Sequence, residues 1–567
     1  MFISDWVIKL FKKKLNITKV FLYPGGTIAP LINSCKKYNI ELEVFKNEQG
    51  ALYAALAYSR LTGQTQVAFV TSGPGLTNAL TPIADAYYDS TPLILVSGQI
   101  GTADLLVRES VRQRGFQEVP TVDLTNPITK FSTCLKSIDN VLSDIPKAIH
   151  LSSEGRKGPV VIDFPMDIQR SEFTDNTLPD DKKIGKASTK SKFSVDLTNE
   201  IIQYIAASRR PVVLLGNGAL NSCLFEEYDL LVNKLGAFVV NSLLGLGSFD
   251  TEDERYLGYI GHTGHVAANT AVHECDLLIV LGSRLDLRQT GTLTEKFVPN
   301  GKILWVDQDT NELDNPRVKT EWKIHSDLDT FLNSFLKAIP EFVSSKDQVW
   351  KNKILHLKSK KLEDIPMDNN CIQPRNLLNK VMSYLPDDYI VTTGVGCHQQ
   401  WAARHLHFKP QKKFLLTSGG HGTMGYDLPS AIGASIAFPT KTILCVVGDG
   451  SLLMNIQELG SVKDRNSNLK ILVLNNNRLG IVSQFQLITW KDDPTTSNFS
   501  SPDFAIVAKG FGIRSETLDS PVDMDKKLKS LIEYNGPSLL EVKIDYSADV
   551  VPMLLAGQEM NNMWMGE

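Results

Sequence analysis

Three α/β domains, each a doubly wound sheet of mainly parallel strands with helices on both faces, are the architecture that this sequence predicts. Short apolar runs alternate with segments of helical periodicity along most of the chain, which is typical of parallel sheets covered by helices. Two polar stretches divide this pattern into three blocks. The chain has 567 residues, and at about 150 residues per domain this length accommodates three or four domains.

The first block comprises residues 1–170. Apolar runs at 20–23, 67–71, 93–97 and 160–164 predict strands, and residues 49–62 have the apolar spacing of a helix. The N-terminal segment has an acid early and its basic run late, the reverse of a secretory signal, so we interpret it as an amphipathic helix. Residues 171–194 are rich in Asp, Lys, Ser and Thr and are predicted to be a linker.

The second block, 195–343, predicts strands at 212–215, 238–240, 277–281 and 303–306. The Lys-rich stretch 344–370 is expected to be part helix and part linker. The third block, 371–550, predicts strands at 389–392, 443–447, 471–474 and 539–542, in an arrangement like that of the first block. The last 17 residues, 551–567, carry four Met and one Trp. Because this tail is too apolar to be free in water, we expect it to pack on the protein.

The composition indicates which classes of partner the chain does not attract and in which compartment we expect it. Apolar residues make up 42% and charged residues 22%, with a net charge of −4, which excludes a disordered or fibrous chain and gives no global attraction to nucleic acid or anionic membrane. The seven cysteines form no CxxC pair, which favours a reducing compartment. No run of 18 apolar residues occurs. We therefore expect a cytoplasmic protein that binds neither nucleic acid nor membrane.

The strongest chemical signal lies in the third block. The motif Gly448-Asp449-Gly450-Ser451 follows an apolar run, and Asn475-Asn476 follows the next one. The 27 residues from Asp449 to Asn476 suffice for a helix and a strand, so both side chains are expected at the carboxyl edge of a parallel sheet, where ligands collect. A hard oxygen pair of this kind suits Mg²⁺, which completes its shell with phosphate and water. The glycines would let backbone N–H groups approach the phosphate.

A second signal surrounds one acid of the first block. Glu48 lies at a strand-to-helix junction, where an ordinary helix-start acid is the simpler interpretation. Two further loops change this interpretation, because Tyr23-Pro24-Gly25-Gly26 and the stretch from Gly73 to Asn78 are expected at the same edge of the sheet. Three loops at one edge, two of them rich in Gly and Pro, predict a binding crevice.

Together these motifs resemble the thiamine-diphosphate enzymes, in their acetohydroxyacid (acetolactate) synthase branch. The matching segments occur in order from about residue 3 to 555, and they read YPGG, NEQGA, TSGPGLTN, GFQE, TSGGHGTMGYDLPSAIGA, GDGSLLMNIQEL and NNNRLGIVSQFQ. The resemblance implies a pyrimidine-binding first domain, a central domain and a diphosphate-binding third domain. It also implies that the cofactor lies between the first domain of one chain and the third domain of its partner, in a homodimer or homotetramer to which a regulatory subunit binds.

The resemblance assigns roles to individual residues. Glu48 would hydrogen-bond the pyrimidine ring of the cofactor, and Met424 would bend the cofactor beneath its thiazolium ring. Mg²⁺ would be held by the side chains of Asp449 and Asn476 and by the backbone carbonyl of Arg478. The remaining cofactor contacts would come from Tyr23, Pro24, Gly25, Gly26, Gly73, Asn78, Gly396, His398, Gly422, Gly450, Ser451, Leu479 and Gly480. Phe116 and Gln117 match residues that line the acceptor site, and Lys130 matches a lysine near the substrate entrance.

Flavin is the second cofactor that the resemblance suggests. The segments expected to wrap FAD contain Gly216, Gly218, Gly282, Arg284, Arg288 and Asp307. Since Asn221 stands where a third glycine would complete a dinucleotide-binding fingerprint, flavin binding rests on the resemblance alone.

Four departures from the family pattern affect the acceptor and flavin regions rather than the cofactor machinery. They are Asn47, Cys397, Phe485 in place of a tryptophan, and His262-Thr263-Gly264 in place of Met-His-Gly. The leading hypothesis is an acetolactate synthase-like carboligase that decarboxylates pyruvate and transfers its two-carbon unit to a 2-keto acid, in branched-chain amino acid biosynthesis. The alternatives are a larger ketone acceptor such as a keto-sugar nucleotide, simple decarboxylation or flavin-linked oxidation of a 2-keto acid, and a catalytically silent binding or regulatory relative.

Overall fold

The computed structural model describes residues 1–105, 111–174, 177–179, 197–339, 346–361, 371–491, 495–498 and 500–566. Within them the chain forms three six-stranded sheets, in which all neighbouring strands run parallel. The predicted fold class is confirmed. Most of the predicted linker 171–194 (175–176 and 180–194), and residues 344–345 and 362–370 of the second linker, lie outside the described residues.

The first sheet has the order β2-β1-β3-β4-β6-β5. Its strands are β1 (Lys19–Leu22), β2 (Glu41–Val44), β3 (Gln66–Val70), β4 (Leu93–Gln99), β5 (Phe131–Cys134) and β6 (Pro159–Pro165). Its helices are α1 (Ile3–Leu15), α2 (Ala29–Lys37), α3 (Glu48–Thr62), α4 (Pro74–Tyr88), α5 (Thr121–Thr125), α6 (Ile138–Ser153) and α7 (Met166–Gln169).

The second sheet has the order β12-β11-β10-β7-β8-β9. Its strands are β7 (Pro211–Leu215), β8 (Phe238–Asn241), β9 (Tyr256–Tyr259), β10 (Leu277–Leu281), β11 (Lys302–Asp307) and β12 (Trp322–His325). Its helices are α8 (Asn199–Ala207), α9 (Asn217–Ser222), α10 (Phe225–Leu235), α11 (Val266–Glu274), α12 (Leu287–Thr290), α13 (Thr310–Asp314), α14 (Leu328–Ala338) and, after it, α15 (Gln348–Lys360).

The third sheet has the order β14-β13-β15-β16-β18-β17. Its strands are β13 (Tyr389–Thr393), β14 (Lys413–Thr417), β15 (Thr442–Gly448), β16 (Leu469–Asn475), β17 (Arg514–Leu518) and β18 (Ser538–Lys543). Its helices are α16 (Pro374–Met382), α17 (Cys397–His405), α18 (Asp427–Ala437), α19 (Asp449–Met454), α20 (Leu459–Arg465), α21 (Gly480–Trp490), α22 (Phe504–Gly510) and α23 (Met524–Glu533).

The central domain differs from the other two in the order of its strands. The first and third sheets follow the same path, since in each the second strand lies outside the first and the last two strands exchange places. In the central sheet the strands run outward in both directions from the β7–β10 pair, the doubly wound order whose switch point binds ligands beyond the strand ends.

The domains pack directly on one another. One apolar core joins α3 of the first domain to α18 of the third, where the Tyr53 and Tyr426 rings meet edge to face at 5.3 Å. A Cβ on Gly433 would lie 2.2 Å from the carbonyl oxygen of Ala54, so α3 and α18 can approach this closely only because Gly433 has no side chain. This packing sets the position of Glu48 relative to the third domain.

The C-terminal tail lies against the central domain. Leu554, Met560 and Met563 are buried in the core of that domain, and the backbone N–H of Leu554 donates to the His262 carbonyl at 2.7 Å. Among the described helices, none combines the length and apolar character needed to cross a membrane.

Candidate active site

Glu48 is a buried acid at the carboxyl edge of the first sheet. It is the first residue of α3 and 6% exposed, and its Oε2 accepts a hydrogen bond from Asn78 Nδ2 at 3.0 Å. Asn47 caps the helix, since its side-chain oxygen accepts the backbone N–H of Gln49 at 2.8 Å. The cap fixes the first turn, so the carboxylate is held in place by the backbone on one side and by Asn78 on the other.

The two Gly- and Pro-rich loops meet beside Glu48. Thr27 and Thr71 hydrogen-bond through their hydroxyls at 2.8 Å, and a Cβ on Gly25 would lie 2.3 Å from Thr71 Cβ. A Cβ on Gly75 would lie 3.4 Å from Glu48 Oε1. The structure therefore brings together the residues predicted for the pyrimidine side, which are Tyr23, Pro24, Gly25, Gly26, Glu48, Gly73 and Asn78.

Phe116 and Gln117 lie on a loop that touches the same crevice. Gly73 has φ of +65°, and a Cβ there would lie 2.9 Å from Gln117 Cβ, so the close approach requires glycine. The Glu118 carboxylate accepts the backbone N–H groups of Arg114 and Gly115 at 2.9 and 3.2 Å, which stabilises the turn. Phe116 is 85% exposed.

Lys130 lies elsewhere. It precedes β5, and its backbone N–H donates to the Pro159 carbonyl at the start of β6, whereas Glu48 lies at the opposite, carboxyl edge of the same sheet. Its ammonium donates to the Glu154 carbonyl at 2.5 Å, and burial lowers its pKa. The structure does not bring Lys130 to Glu48 within one chain.

The predicted metal ligands follow two neighbouring strands. β15 and β16 pair in register from Ile443 with Leu469 to Gly448 with Leu474, so Asp449 and Asn476 leave the sheet side by side. Both are buried, at 3% and 7% exposure. The Arg478 guanidinium turns away and donates to Asp549 at 2.6 Å, which leaves its backbone carbonyl as the part of this residue that could bind a metal.

The surroundings of Asp449 suit a cation. Its Oδ1 accepts the Gly450 N–H and its Oδ2 accepts the Ser501 hydroxyl, both at 2.9 Å. Within the described parts of the chain no lysine or arginine pairs with it, and burial raises the pKa of its carboxyl group. A buried carboxylate without a cation is costly, and one carboxylate, one amide and one carbonyl form a small all-oxygen set of the kind Mg²⁺ takes with phosphate. The residues present therefore fit Mg²⁺ and a diphosphate.

The other predicted diphosphate contacts surround this pair. Gly396 has φ of +155°, and Cβ atoms on Gly396 and Gly448 would each lie 2.7 Å from His398 Nδ1. A Cβ on Gly480 would lie 2.6 Å from Cys397 Sγ and 3.2 Å from Asn476 Nδ2. We call this set the diphosphate cradle; its members are Gly396, His398, Asp449, Gly450, Ser451, Asn476, Leu479 and Gly480.

Met424 projects from a loop fixed at both ends. Gly422 and Gly425 have φ of +79° and +81°, and the N–H of Gly425 donates to Ser451 Oγ at 2.8 Å. At the other end, the Ser418 hydroxyl accepts the N–H groups of Gly422 and Thr423 at 3.0 and 2.9 Å. The half-buried Met424 is thereby tied to the cradle through Ser451.

This loop is also held by α4 of the first domain and by Asp89, the residue that follows it. Ser418 donates its hydroxyl proton to Asp85 at 2.5 Å, and the Asp89 carboxylate accepts the N–H groups of Gly419 and Gly420 at 3.0 and 2.7 Å. Burial raises the pKa of Asp85 to about 6. In the same chain Asn455 Nδ2 bridges Gln49 Oε1 and the Gly425 carbonyl at 2.9 and 2.8 Å. Gln49, the residue next to Glu48, is therefore linked to the Met424 loop through the side chain of Asn455.

A cleft of about 410 Å³ opens at the switch point of the central sheet. The two loops that follow β7 and β10 touch there: Gly218 N–H donates to the Gly282 carbonyl at 2.9 Å, and a Cβ on Gly216 would lie 2.2 Å from that carbonyl oxygen. The cleft is also lined by Arg284, Arg288 and Asp307, whose carboxyl pKa burial raises to about 6. Tyr88, Ser90, Arg156 and Lys157 of the first domain and Gln400 and Gly419 of the third complete the lining. Its size and lining fit an extended ligand with polar groups.

Phe485 connects this cleft to the metal-side helix α21. Its ring stacks on His262 with centroids 5.4 Å apart and planes 4° from parallel. His262 Nδ1 lies 2.7 Å from the Leu554 carbonyl oxygen, and burial lowers the pKa of this histidine. Two of the four sequence departures, at Phe485 and His262, therefore contact each other, and His262 lines the cleft.

Sequence reasoning missed Asp427, Ser418 and the acids of α4. Asp427 stands at the start of α18 between Gly425-Tyr426 and an Ala-rich helix, and an acid before a buried helix was the available signal. Asp85 had no comparable signal, because its contact with Ser418 spans two domains.

Comparison with known proteins agrees with this arrangement. Three models of thiamine pyrophosphate enzymes match: the N-terminal TPP binding domain at residues 1–124, the central domain at 198–335 and the C-terminal TPP binding domain at 394–542. Similar curated proteins include the acetolactate synthase isozyme 2 large subunit of Escherichia coli, 34% identical over 99% of this chain and 98% of that protein. The acetolactate synthase large subunit of Cyanidium caldarium is 34% identical over 97% of this chain and 94% of its own length. The chloroplastic acetolactate synthase of Arabidopsis thaliana is 33% identical over 99% and 84%.

Proposed function

Since this chain belongs to the thiamine-diphosphate enzymes, in their acetolactate synthase branch, we propose that it is a Mg²⁺-dependent carboligase that decarboxylates pyruvate and transfers the two-carbon unit to a 2-keto acid. The observation that carries this proposal is the buried Asp449–Asn476 pair at the carboxyl edge of the third sheet, with a carboxylate that no lysine or arginine of the described chain neutralises. When bound, thiamine diphosphate supplies the electron sink for decarboxylation and carbon–carbon bond formation.

The protein's own groups have separate tasks in this proposal. Asp449, Asn476 and the Arg478 carbonyl hold Mg²⁺, while the cradle glycines and His398 bind the diphosphate. Glu48, held by Asn78 at 3.0 Å, keeps a proton at the pyrimidine ring. Met424 supports the bent cofactor from a loop that two domains fix.

We also propose that the central cleft binds FAD. The β7–β10 switch point, the glycine contacts between its loops and a volume of about 410 Å³ support this assignment. Flavin would not need to transfer electrons for carboligation, so its contribution here would be to the packing of three domains that meet at the cleft.

The assembly and compartment are further parts of the proposal. Similar proteins are named large or catalytic subunits, which supports a regulatory subunit as a partner. A homodimer or homotetramer is proposed on the family resemblance alone. All seven cysteines are free thiols within the described chain, which supports a location in a reducing compartment, the cytoplasm.

The acceptor has a second candidate. Phe485 is smaller than the tryptophan that the family resemblance predicts, and its ring is engaged by His262. The smaller ring at position 485 favours a larger ketone, such as a keto-sugar nucleotide, as an alternative acceptor with the same donor chemistry.

The proposal is tested by supplying pyruvate, thiamine diphosphate and Mg²⁺ with a panel of acceptors that contains 2-ketobutyrate, an aldehyde and keto-sugar nucleotides. A product that joins the two-carbon unit to a 2-keto acid supports the main assignment, and joining only to a keto-sugar supports the second. Glu48→Gln serves as the inactive control. Release of acetaldehyde without any joined product would overturn both.

A further inference from the structure

Asp427 is a fully buried acid beneath the diphosphate cradle that the proposed chemistry does not use. It begins α18 and is 0% exposed. Among the described residues, no lysine or arginine forms an ion pair with Asp427, and its Oδ1 has no hydrogen-bond partner. Burying a carboxylate costs free energy of folding unless hydrogen bonds or a paired charge compensate for the lost hydration.

One oxygen of Asp427 collects donors from three separate segments. Oδ2 accepts the backbone N–H of Gly394 at 2.7 Å and the Ser451 hydroxyl at 2.8 Å. His398 Nε2 lies 3.3 Å from the same oxygen. These donors come from the loop after β13, from α19 and from α17, which are the three segments that form the cradle.

The His398 contact determines which edge of the imidazole faces the cradle. With Nε2 directed at Asp427, Nδ1 lies against Gly396 and Gly448, where a Cβ on either glycine would be 2.7 Å away. A histidine that is anchored through one nitrogen presents the other in a fixed direction.

The Ser451 contact extends the same anchor to Met424. Ser451 donates to Asp427 and accepts the Gly425 N–H at 2.8 Å. Gly394 is adapted to this arrangement, because a Cβ there would lie 2.4 Å from Asp427 Oδ2 and 2.8 Å from Ser451 Oγ.

We propose that Asp427 is a positioning residue, whose single acceptor oxygen holds His398, Ser451 and the Gly394 turn in the geometry that receives the diphosphate of the cofactor. This inference rests on the proposed cofactor site but not on the proposed reaction. An acid in the first turn of a helix also stabilises the helix through its interaction with the helix dipole. That structural role would not depend on His398.

Calorimetric titration of Mg²⁺-saturated full-length protein with thiamine diphosphate tests the proposal. We expect Asp427→Ala to weaken binding on the order of 10–100-fold, as removal of second-sphere partners typically does. Asp427→Asn can place its amide oxygen at the Oδ2 position, so it should remain within about 3-fold of wild type. Ser435→Ala, which removes a buried hydroxyl bonded to Ile432 at the far end of α18, is the control and should bind normally.

A double-mutant cycle separates positioning from helix stability. In the His398→Ala background, Asp427→Ala should weaken thiamine diphosphate binding by a smaller factor than in the wild-type background, because one of its three partners is already absent. Gly394→Ala, which displaces Asp427 without removing it, should weaken binding in the wild-type background and serves if Asp427→Ala does not fold. Normal binding by Asp427→Ala, equal losses in Asp427→Asn and Asp427→Ala, or an undiminished loss in the His398→Ala background would each overturn the inference. Failure of the wild-type protein to bind thiamine diphosphate would instead overturn the proposed function.

Discussion

Gly282→Ala tests the close approach of the two loops at the central cleft. Gly282 has φ of +60°, and its Cβ would lie 2.7 Å from Gly218 Cα. The left-handed backbone costs a non-glycine residue about 1–2 kcal/mol. Since ordinary contact begins at 3.4 Å, the loops would also have to separate by about 0.7 Å, and overpacking of this kind typically costs about 1–3 kcal/mol. We therefore expect the central domain to lose about 2–5 kcal/mol of stability.

Gly63→Ala is the matched control for this prediction. Gly63 ends α3 with φ of +70°, and a Cβ there would meet nothing within 4 Å, so only the backbone cost applies. Denaturant unfolding followed by circular dichroism compares the two variants, and the absorbance of purified protein reports bound flavin. Gly282→Ala should be less stable than Gly63→Ala by about 1–3 kcal/mol and should retain less flavin. Equal stability losses would refute the steric reasoning, and an unchanged flavin content would refute the assignment of the cleft.

Three further predictions concern individual acids. Glu48→Gln should lower turnover by about 10²–10⁴-fold, the usual contribution of a proton-transferring group, while calorimetry should show that thiamine diphosphate still binds. A near-normal rate would show that Glu48 takes no part in the chemistry. Glu41→Gln, at an exposed position, is the control. Asp449→Ala should abolish Mg²⁺-dependent binding of the cofactor, since it removes the site's anionic ligand, so unchanged affinity would contradict the metal assignment. Burial raises the pKa of Asp163 to about 6, so its contribution to stability is fully present below about pH 4 and is lost as the pH rises to about 6, by about 3 kcal/mol. Asp163→Asn should therefore be more stable than wild type at pH 8 in thermal unfolding, with a gap that narrows toward pH 4; a gap independent of pH would contradict this.

The sequence predicted the interior of each sheet and missed its edges. In every sheet the four central strands matched apolar runs, whereas the strands without a predicted counterpart, β2, β5, β9, β12, β14 and β17, are the edge strands. A central parallel strand is buried on both faces and reads as a continuous apolar run, as the fully buried β16 does. An edge strand such as β2 or β12 is half exposed, so its composition resembles that of a loop.

Site residues could be predicted where they follow a strand of their own domain, and could not be predicted where they act across a domain boundary. Glu48 and Asp449 could be predicted because each follows a strand of its own domain, and parallel strands bring their carboxyl ends to one edge. Asp85 and Asp89 could not be predicted, because they act on Ser418 and Gly420, more than 300 residues away, across a domain boundary. Lys130 shows the reverse case, since its match to a family lysine did not indicate at which edge of the sheet the residue lies.

The proposed carboligation can be measured by carbon-13 NMR of labelled pyruvate incubated with the protein, thiamine diphosphate and Mg²⁺, with no other acceptor present. We expect label to accumulate in 2-acetolactate and in carbon dioxide, and both products to form about 10²–10⁴-fold more slowly with Glu48→Gln. Pyruvate that stays intact, or that yields acetaldehyde as the sole organic product, would contradict it.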